Sequence, residues 1–305
     1  VIHRFPVGGL SCVVLSDGQP EPPLEPELTD FFTPDSGVPA DALRAAAEAE
    51  GRTTLTCGYN CLVVETPDGA AIVDTGLGAR FLGYGPYLEP LVGKLGTGLS
   101  NAGFAPGDLA AVVFTHLHQD HSRGAVWPGE LAFPAAVGYA HEAEIAYWSA
   151  SPSEPGAAPH LESAREAIRL FGERLRPFGS GSGPGPEVLS GVQAVDAAGH
   201  TPGHTAFLLQ SRGERLLCVG DLFYDRLQLR HPSWRTPWDP RRRGVRTQPP
   251  SPAGLGGRRT APRPRIPPAV PGSRPDRAPR RGVRVGAGQL RLRPRAPRVG
   301  ASAAT

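Results

Sequence analysis

The sequence predicts an α/β fold with two β-sheets packed face to face and helices outside. Three observations carry this. Short runs rich in valine, leucine and isoleucine recur over the first 240 residues, helical periodicity separates some of them, and the strands come in runs rather than in strict alternation with helices. A chain of 305 residues that is 39% hydrophobic has the material for one large domain or two ordinary ones.

Taken in order, "LSCVVLS" (10–16) reads as a strand and "PADALRAAAEAEG" (39–51) as a helix stopped by Gly51. "CLVVETPDGAAIVDTG" (61–76) reads as a hairpin, because Pro67-Asp68-Gly69 is a turn between two β-rich runs. Helices are expected at 86–102, 141–149 and 160–176, and strands at 111–115, 136–140, 192–197, 205–210 and 215–219. "GSGSGPGP" (179–186) is expected to be a flexible loop.

Charge divides the chain after Pro240. Residues 1–240 carry 15 Lys+Arg against 28 Asp+Glu, a net of −13, while residues 241–305 carry 17 arginines and one acid, Asp276, a net of +16. The tail is built of Arg, Pro, Gly and Ala with no apolar face and no aromatic residue, so it is expected to stay disordered. A basic arm of this size raises nucleic-acid contact. Functional basic arms usually mix lysine with arginine, and Lys94 is the sole lysine of the chain, which weighs against that role.

Cys12, Cys57, Cys61 and Cys218 form no CxxC spacing, and no segment reads as a signal peptide, so a cytoplasmic protein with reduced thiols is expected. No apolar run approaches the roughly 20 residues that cross a bilayer, so no membrane role is expected. A small-molecule substrate is the expected partner, and a homodimer is left open.

The chemistry centres on "VVFTHLHQDHSRGA" (112–125). His116, His118, Asp120 and His121 are four ligand-type side chains in six positions directly after an apolar strand. Imidazoles two residues apart at a strand end can face one side, and the following turn brings the next pair round to meet them. Such nitrogen and oxygen donors suit zinc. "AAGHTPGHT" (197–205) places His200 in a loop between strands, and "LLCVGDLFY" (216–224) places Asp221 just past another. Alone, His200 reads more readily as a hydrogen-bonding loop residue than as a ligand, and Asp221 as a cap. His141, His204 and His231 read as structural.

Together the THxHxDH, GHTPGH and VGD motifs resemble those of the metallo-β-lactamase-fold hydrolases, in their lactonase-like and organophosphate-hydrolase-like branch. The resemblance covers residues 1 to about 240, including "NCLVVETPDGAAIVDTGLG" with Asn60 and Asp74. It implies an αββα sandwich of two mixed sheets and two zinc ions. The first would be held by His116, His118 and His200, the second by Asp120 and His121, with Asp221 bridging. It further implies a metal-bridging hydroxide that attacks a small ester or lactone, with Asp120 and Tyr224 as catalytic residues. Asp74 would orient a ligand histidine, or simply shape its turn. Tyr224 would hydrogen-bond the substrate oxygen, or pack as an aromatic in the core. Organophosphate or β-lactam hydrolysis and a mononuclear iron thiol oxygenase are the alternatives within the fold.

The resemblance also implies one more histidine, 40 to 50 residues after Asp221. The corresponding window, 261–271, reads "APRPRIPPAVP", and no histidine follows His231. Arg, Pro, Gly and Ala are what GC-rich codons give in a wrong frame. Reading Ile266–Ala278 one nucleotide later permits Ser-His-x-Pro-Phe-Pro-Gly-Leu-Gly-Arg-Ile-Ala, with the histidine codon straddling Pro267 and Pro268. The domain assignment is therefore a hydrolase domain over 1–240, C-terminally incomplete, and an out-of-frame tail over 241–305, with a frameshift near 239–243. A chain of this kind would be a defective product with an under-ligated second metal and low activity.

Overall fold

The computed structural model describes residues 2–18, 39–51, 58–78, 93–127, 130–150, 157–179, 185–232 and 284–286, with residues 152, 234 and 236. β1 (Ile2–Val7) and β2 (Leu10–Gly18) form a hairpin, followed by α1 (Ala40–Glu48), β3 (Tyr59–Thr66), β4 (Gly69–Val73) and α2 (Leu95–Asn101). Next come β5 (Leu109–Val113), the short α3 (Gln119–Ser122), a ribbon of β6 (Val126–Trp127) and β7 (Glu130–Leu131), and β8 (Val137–His141). α4 (Glu142–Ser149), α5 (Ala158–Phe171) and β9 (Leu175–Phe178) complete the first half. The second half holds β10 (Glu187–Leu189), β11 (Val192–Asp196), β12 (Thr205–Ser211), β13 (Glu214–Cys218), α6 (Arg226–Arg230) and β14 (Arg284–Gly286).

Seven strands form one mixed sheet in the order β1-β2-β3-β4-β5-β8-β9, antiparallel from β1 to β4 and parallel from β4 to β9. Five form the other, β10-β11-β12-β13-β14, antiparallel except for its last pair. The period of two separates the cores. Cys61, Val63, Ile72, Val112 and Phe114 face the helices, where they meet Leu99 of α2, Trp148 of α4 and Phe171 of α5. Leu62, Val64, Val73 and Val113 face the other sheet, against Val192, Phe207 and Leu209. Each such side chain, fully buried, contributes about 1.5–3 kcal/mol. The sheets are thus the two inner layers of a sandwich, as the period-two runs imply.

The strands expected at 10–16, 111–115, 136–140, 192–197, 205–210 and 215–219 and the helix expected at 141–149 lie where the sequence places them within two residues, and the hairpin and α1 lie there with C-terminal ends three residues short. Other elements differ. The helix expected over 160–176 ends at Phe171, because Gly172 adopts φ 48° and the chain turns into β9. Pro177 hid that strand, and it sits at the sheet edge where a missing N–H costs no ladder bond. β1 escaped notice for a related reason, since it is a half-exposed edge strand with Pro6 inside it. Of the helix expected at 86–102, Leu95–Asn101 is helical, and residues 86–92 lie outside the described residues. So do 180–184 of the glycine-rich loop and the tail expected to be disordered, apart from β14, which pairs in parallel with Leu216–Cys218.

The topology brings four strand ends together. β4 and β5 are parallel neighbours, so Asp74 and His116 emerge at one edge, the carboxyl end where open α/β sheets place ligands. Thr205 at the start of β12 donates its N–H to Thr115 C=O at 2.9 Å, fastening the second sheet to that edge. Among the described residues no helix is long and apolar enough to cross a membrane. Cys12 and Cys61 are buried and Cys218 half-buried, all three as free thiols. Burial, then the nearby Glu65, pushes the Cys12 thiol up to about 12, so it packs as an apolar side chain. Cys57 lies outside the described residues.

Candidate metal centre

Asp74 follows β4 in the left-handed region, φ 54°, which is uncommon for a residue with a side chain. Its carboxylate accepts the Thr115 N–H at Oδ1 (2.8 Å), the Thr115 hydroxyl at Oδ2 (2.7 Å), and lies 2.8 Å from His121 Nδ1. A carboxylate can only accept, so the Thr115 hydroxyl spends its one proton on Asp74. The Thr115 oxygen, 3.0 Å from His116 Nδ1, must then accept from that ring. His116 is thereby fixed with its proton on Nδ1 and a lone pair on Nε2. That Nε2 is buried and has no hydrogen-bond partner. An orphaned imidazole nitrogen with this tautomer, 4.0 Å from Asp221 Oδ2 and among other histidines, fits a metal ligand.

The remaining donors converge on the same point. His116, His118 and His200 present ligand atoms within 4.8 Å of one another, as do His116, His121 and Asp221. His118 Nδ1 and His200 Nε2 are 2.9 Å apart. Asp221 stands between the groups. Its Oδ2 is 3.4 Å from His200 Nε2 and 4.0 Å from His116 Nε2, while its Oδ1 is 3.2 Å from His121 Nε2. Asp120 Oδ2 lies 3.7 Å from His121 Nε2. Tyr224 donates its hydroxyl to Asp221 Oδ2 at 3.2 Å and sits 3.3 Å from His200 Nδ1. All eight residues singled out in the sequence are therefore in one cluster.

The electrostatics match a cation site. Burial, then the charges of neighbouring histidines, holds His116 and His118 well below the ordinary value of 6.5, so both are neutral lone-pair donors. Burial raises Asp120, and Asp221 pushes it further, because two carboxylates share one dry site. For Asp221 burial acts upward, but His121 and His200 outweigh it and hold the group below the usual carboxylate range. Burial acts downward on His121, yet Asp221, Asp120 and Asp74 keep it well above its ordinary value. Without metal, the His121 proton supplies the positive charge that three carboxylates require.

Three residues here were not singled out in the sequence. His160 of α5 stacks on His118 with ring centroids 3.9 Å apart and joins His118 and Asp120 in a third group of potential ligands. Its Nδ1 accepts the Gln119 N–H at 3.3 Å, which puts the proton of the neutral ring on Nε2 and opposes a ligand role. Thr115 is the relay described above, and Glu144 of α4 is buried behind the ligand loops. A threonine before the first histidine was visible as a motif letter. A lone histidine and a lone glutamate on helices carry no such mark. The histidines read as structural do behave so. His141 caps α4 by accepting the Ala143 N–H, His231 stacks on Trp234, and His204 accepts the Asp221 N–H at Nε2 while its Nδ1 reaches Ala197 C=O.

Burial holds both His160 and His204 down to about 4, against 6.5 for an unperturbed ring. The unfolded chain takes up these protons first as pH falls. The stability from these neutral rings is therefore complete above 6.5 and is lost between 6.5 and about 4. Urea unfolding of chelator-treated protein is expected to show this decline. A flat stability profile across that window would contradict it.

The comparisons agree with this geometry. The family model of the metallo-beta-lactamase superfamily matches residues 55–269. A probable metallo-hydrolase of Mycobacterium tuberculosis is 28% identical over 224 residues, covering 60% of this chain and 67% of that protein. An N-acyl homoserine lactonase of a Bacillus species is 26% identical over 163 residues, covering 50% of this chain and 58% of that protein. Among solved structures, the dizinc quorum-quenching lactonase AidC superposes with a TM-score of 0.65 at 22% identity, over 78% of this chain and 80% of the other. The hydrolase AbOPH does so with 0.63 at 21% identity, again over 78% and 80%. Likeness at that identity establishes the shared fold. With the family model spanning both ligand loops and Asp221, the chain belongs to the metallo-β-lactamase superfamily of metal-dependent hydrolases.

Proposed function

We propose that this hydrolase uses zinc and acts on a small ester or lactone. One observation carries the two-metal part of the reading: the two oxygens of Asp221 face different donor sets, Oδ2 toward His116 and His200, Oδ1 toward His121. His116, His118 and His200 would hold one ion, Asp120 and His121 the other, with Asp221 between them. When bound, zinc supplies Lewis acidity that lowers the pKa of a coordinated water and polarises a carbonyl.

The chain's own residues do the rest. Asp74 and Thr115 keep His116 Nε2 and His121 Nε2 directed inward. Tyr224 holds a phenolic proton beside Asp221, where it can be handed to an oxygen of a bound substrate. That placement, with the lactonase of a Bacillus species among the relatives, favours lactones. Tyr224→Phe is expected to lower kcat by about 10²-fold with metal content unchanged. Unaltered kcat would remove Tyr224 from the reaction.

A screen of zinc-loaded protein against lactones, aryl esters, phosphotriesters and a β-lactam tests the substrate class. Lactone turnover above the others is the expected result, and turnover of phosphotriesters alone would overturn it. Metal analysis tests the ion. Zinc in the active protein is expected, whereas one iron per chain with oxygen consumption would indicate thiol oxidation instead.

A further inference from the structure

We propose that Glu144 is a positioning residue whose carboxylate clamps the two ligand-bearing loops together and so sets the geometry of the first metal site; the inference rests on the zinc reading above. Glu144 lies in the first turn of α4 and is 1% exposed. Its Oε1 accepts the backbone N–H of Leu117 at 3.0 Å and the indole N–H of Trp148 at 2.7 Å. Its Oε2 accepts the hydroxyl of Thr201 at 2.7 Å and the backbone N–H of Gly203 at 3.0 Å. Leu117 stands between His116 and His118, and Thr201 directly follows His200. One carboxylate oxygen thus holds the loop that carries two candidate ligands, and the other holds the loop that carries the third.

The join matters because the loops come from different sheets. The backbone bond from Thr205 to Thr115 fastens the strand ends but lies outside the ligand segment on both sides. Glu144 acts at the loop tips, where His118 Nδ1 and His200 Nε2 are brought to 2.9 Å. A buried carboxylate is costly unless its oxygens are satisfied, and here four donors satisfy them. The packing is built around this reach. A Cβ on Gly203 would lie 2.4 Å from the Glu144 backbone nitrogen, so the second glycine of the GHTPGH loop lets the helix approach closely enough for the carboxylate to span both loops.

The test uses the full chain, with Zn²⁺ affinity measured by competition with a chromogenic chelator and first-site geometry read from Co²⁺ absorption. Glu144→Gln places an amide NH₂ against donors at one end. It is expected to weaken first-site zinc about 10–100-fold and to alter the Co²⁺ spectrum. Thr201→Val removes one donor, leaves the charge, and is expected to weaken zinc by a smaller factor. The double variant should be no weaker than Glu144→Gln, because both act through the same oxygen. Melting of the metal-free proteins is followed separately, since a merely structural residue would move melting and leave affinity and spectrum alone. Wild-type affinity and spectrum in both variants would overturn the clamp. If Glu144→Gln does not fold, Thr201→Val decides alone, and wild-type affinity there overturns it. Failure of the unaltered protein to bind either ion would sink the zinc reading and the clamp together, whereas normal binding in all chains sinks the clamp alone.

Discussion

Replacing Asp74 is expected to cost both metals at once. Its carboxylate orients His121 directly and His116 through Thr115, so one residue governs a ligand of each candidate ion. Removing a partner of this kind lowers metal affinity by about 10–100-fold, and Asp74→Ala should show that loss at both sites. It also strands the Thr115 N–H and the His121 ring N–H in a buried pocket, at about 1–3 kcal/mol for each unsatisfied group. Urea unfolding should register that destabilisation in metal-free protein.

Asp74→Asn is the sharper experiment because it keeps the shape. An asparagine NH₂ at the Oδ2 position would donate to Thr115 Oγ1, which would then give its own proton to His116 Nδ1 and force the ring proton onto Nε2. The same NH₂ faces His121 Nδ1. His116 Nε2 would be inverted from acceptor to donor, and on losing one proton His121 would keep the other on Nε2 rather than on Nδ1, so zinc affinity should fall at both sites in a protein that remains folded. Thr115→Val cuts the relay to His116 alone, so it should weaken the first ion and spare the second. Wild-type zinc titrations for Asp74→Asn would show that tautomer control plays no part here.

These relays explain what could be read in the sequence and what could not. The strands at β3, β4, β5 and β12 were legible because each buries both of its faces, and Val, Leu and Ile crowd them. The candidate ligands were legible as a group because histidines and aspartates bunched after strand ends have few other uses. Edge strands such as β1 and β9 were not, since their half-exposed pattern and internal prolines resemble loops. Glu144 was invisible for a different reason. In "EAEIAYW" it reads as one of two acids on a solvated helix, and nothing local says that Glu142 is exposed while Glu144 is buried. Its partners Leu117 and Thr201 are 27 and 57 residues away. His160 likewise gains its meaning from stacking on His118, 42 positions earlier.

The largest gain in activity is expected from changing the reading frame rather than a residue. The described donors for a second ion are Asp120, His121 and one oxygen of Asp221, of which His121 carries a proton held in place by Asp74, Asp120 and Asp221. Zinc must displace that proton with few donors to offset the cost, so the second ion should bind weakly in the chain as it stands. We propose that the missing nitrogen is encoded one nucleotide out of register across Pro267 and Pro268, within residues that lie outside those described. The second sheet offers a place for the restored segment, since on the side away from β12, β13 is bordered by only the three-residue β14 among the described residues. A chain corrected from about residue 240 is therefore expected to bind two zinc ions at concentrations where the present chain binds one. Its turnover should rise by about 10²-fold or more, as for other losses of a charge-stabilising group at a reacting centre. Zinc stoichiometry and turnover of the two chains, purified side by side, decide the matter. Equal stoichiometry with equal turnover would retire the frame hypothesis, as would an unbroken reading frame found on resequencing independent DNA.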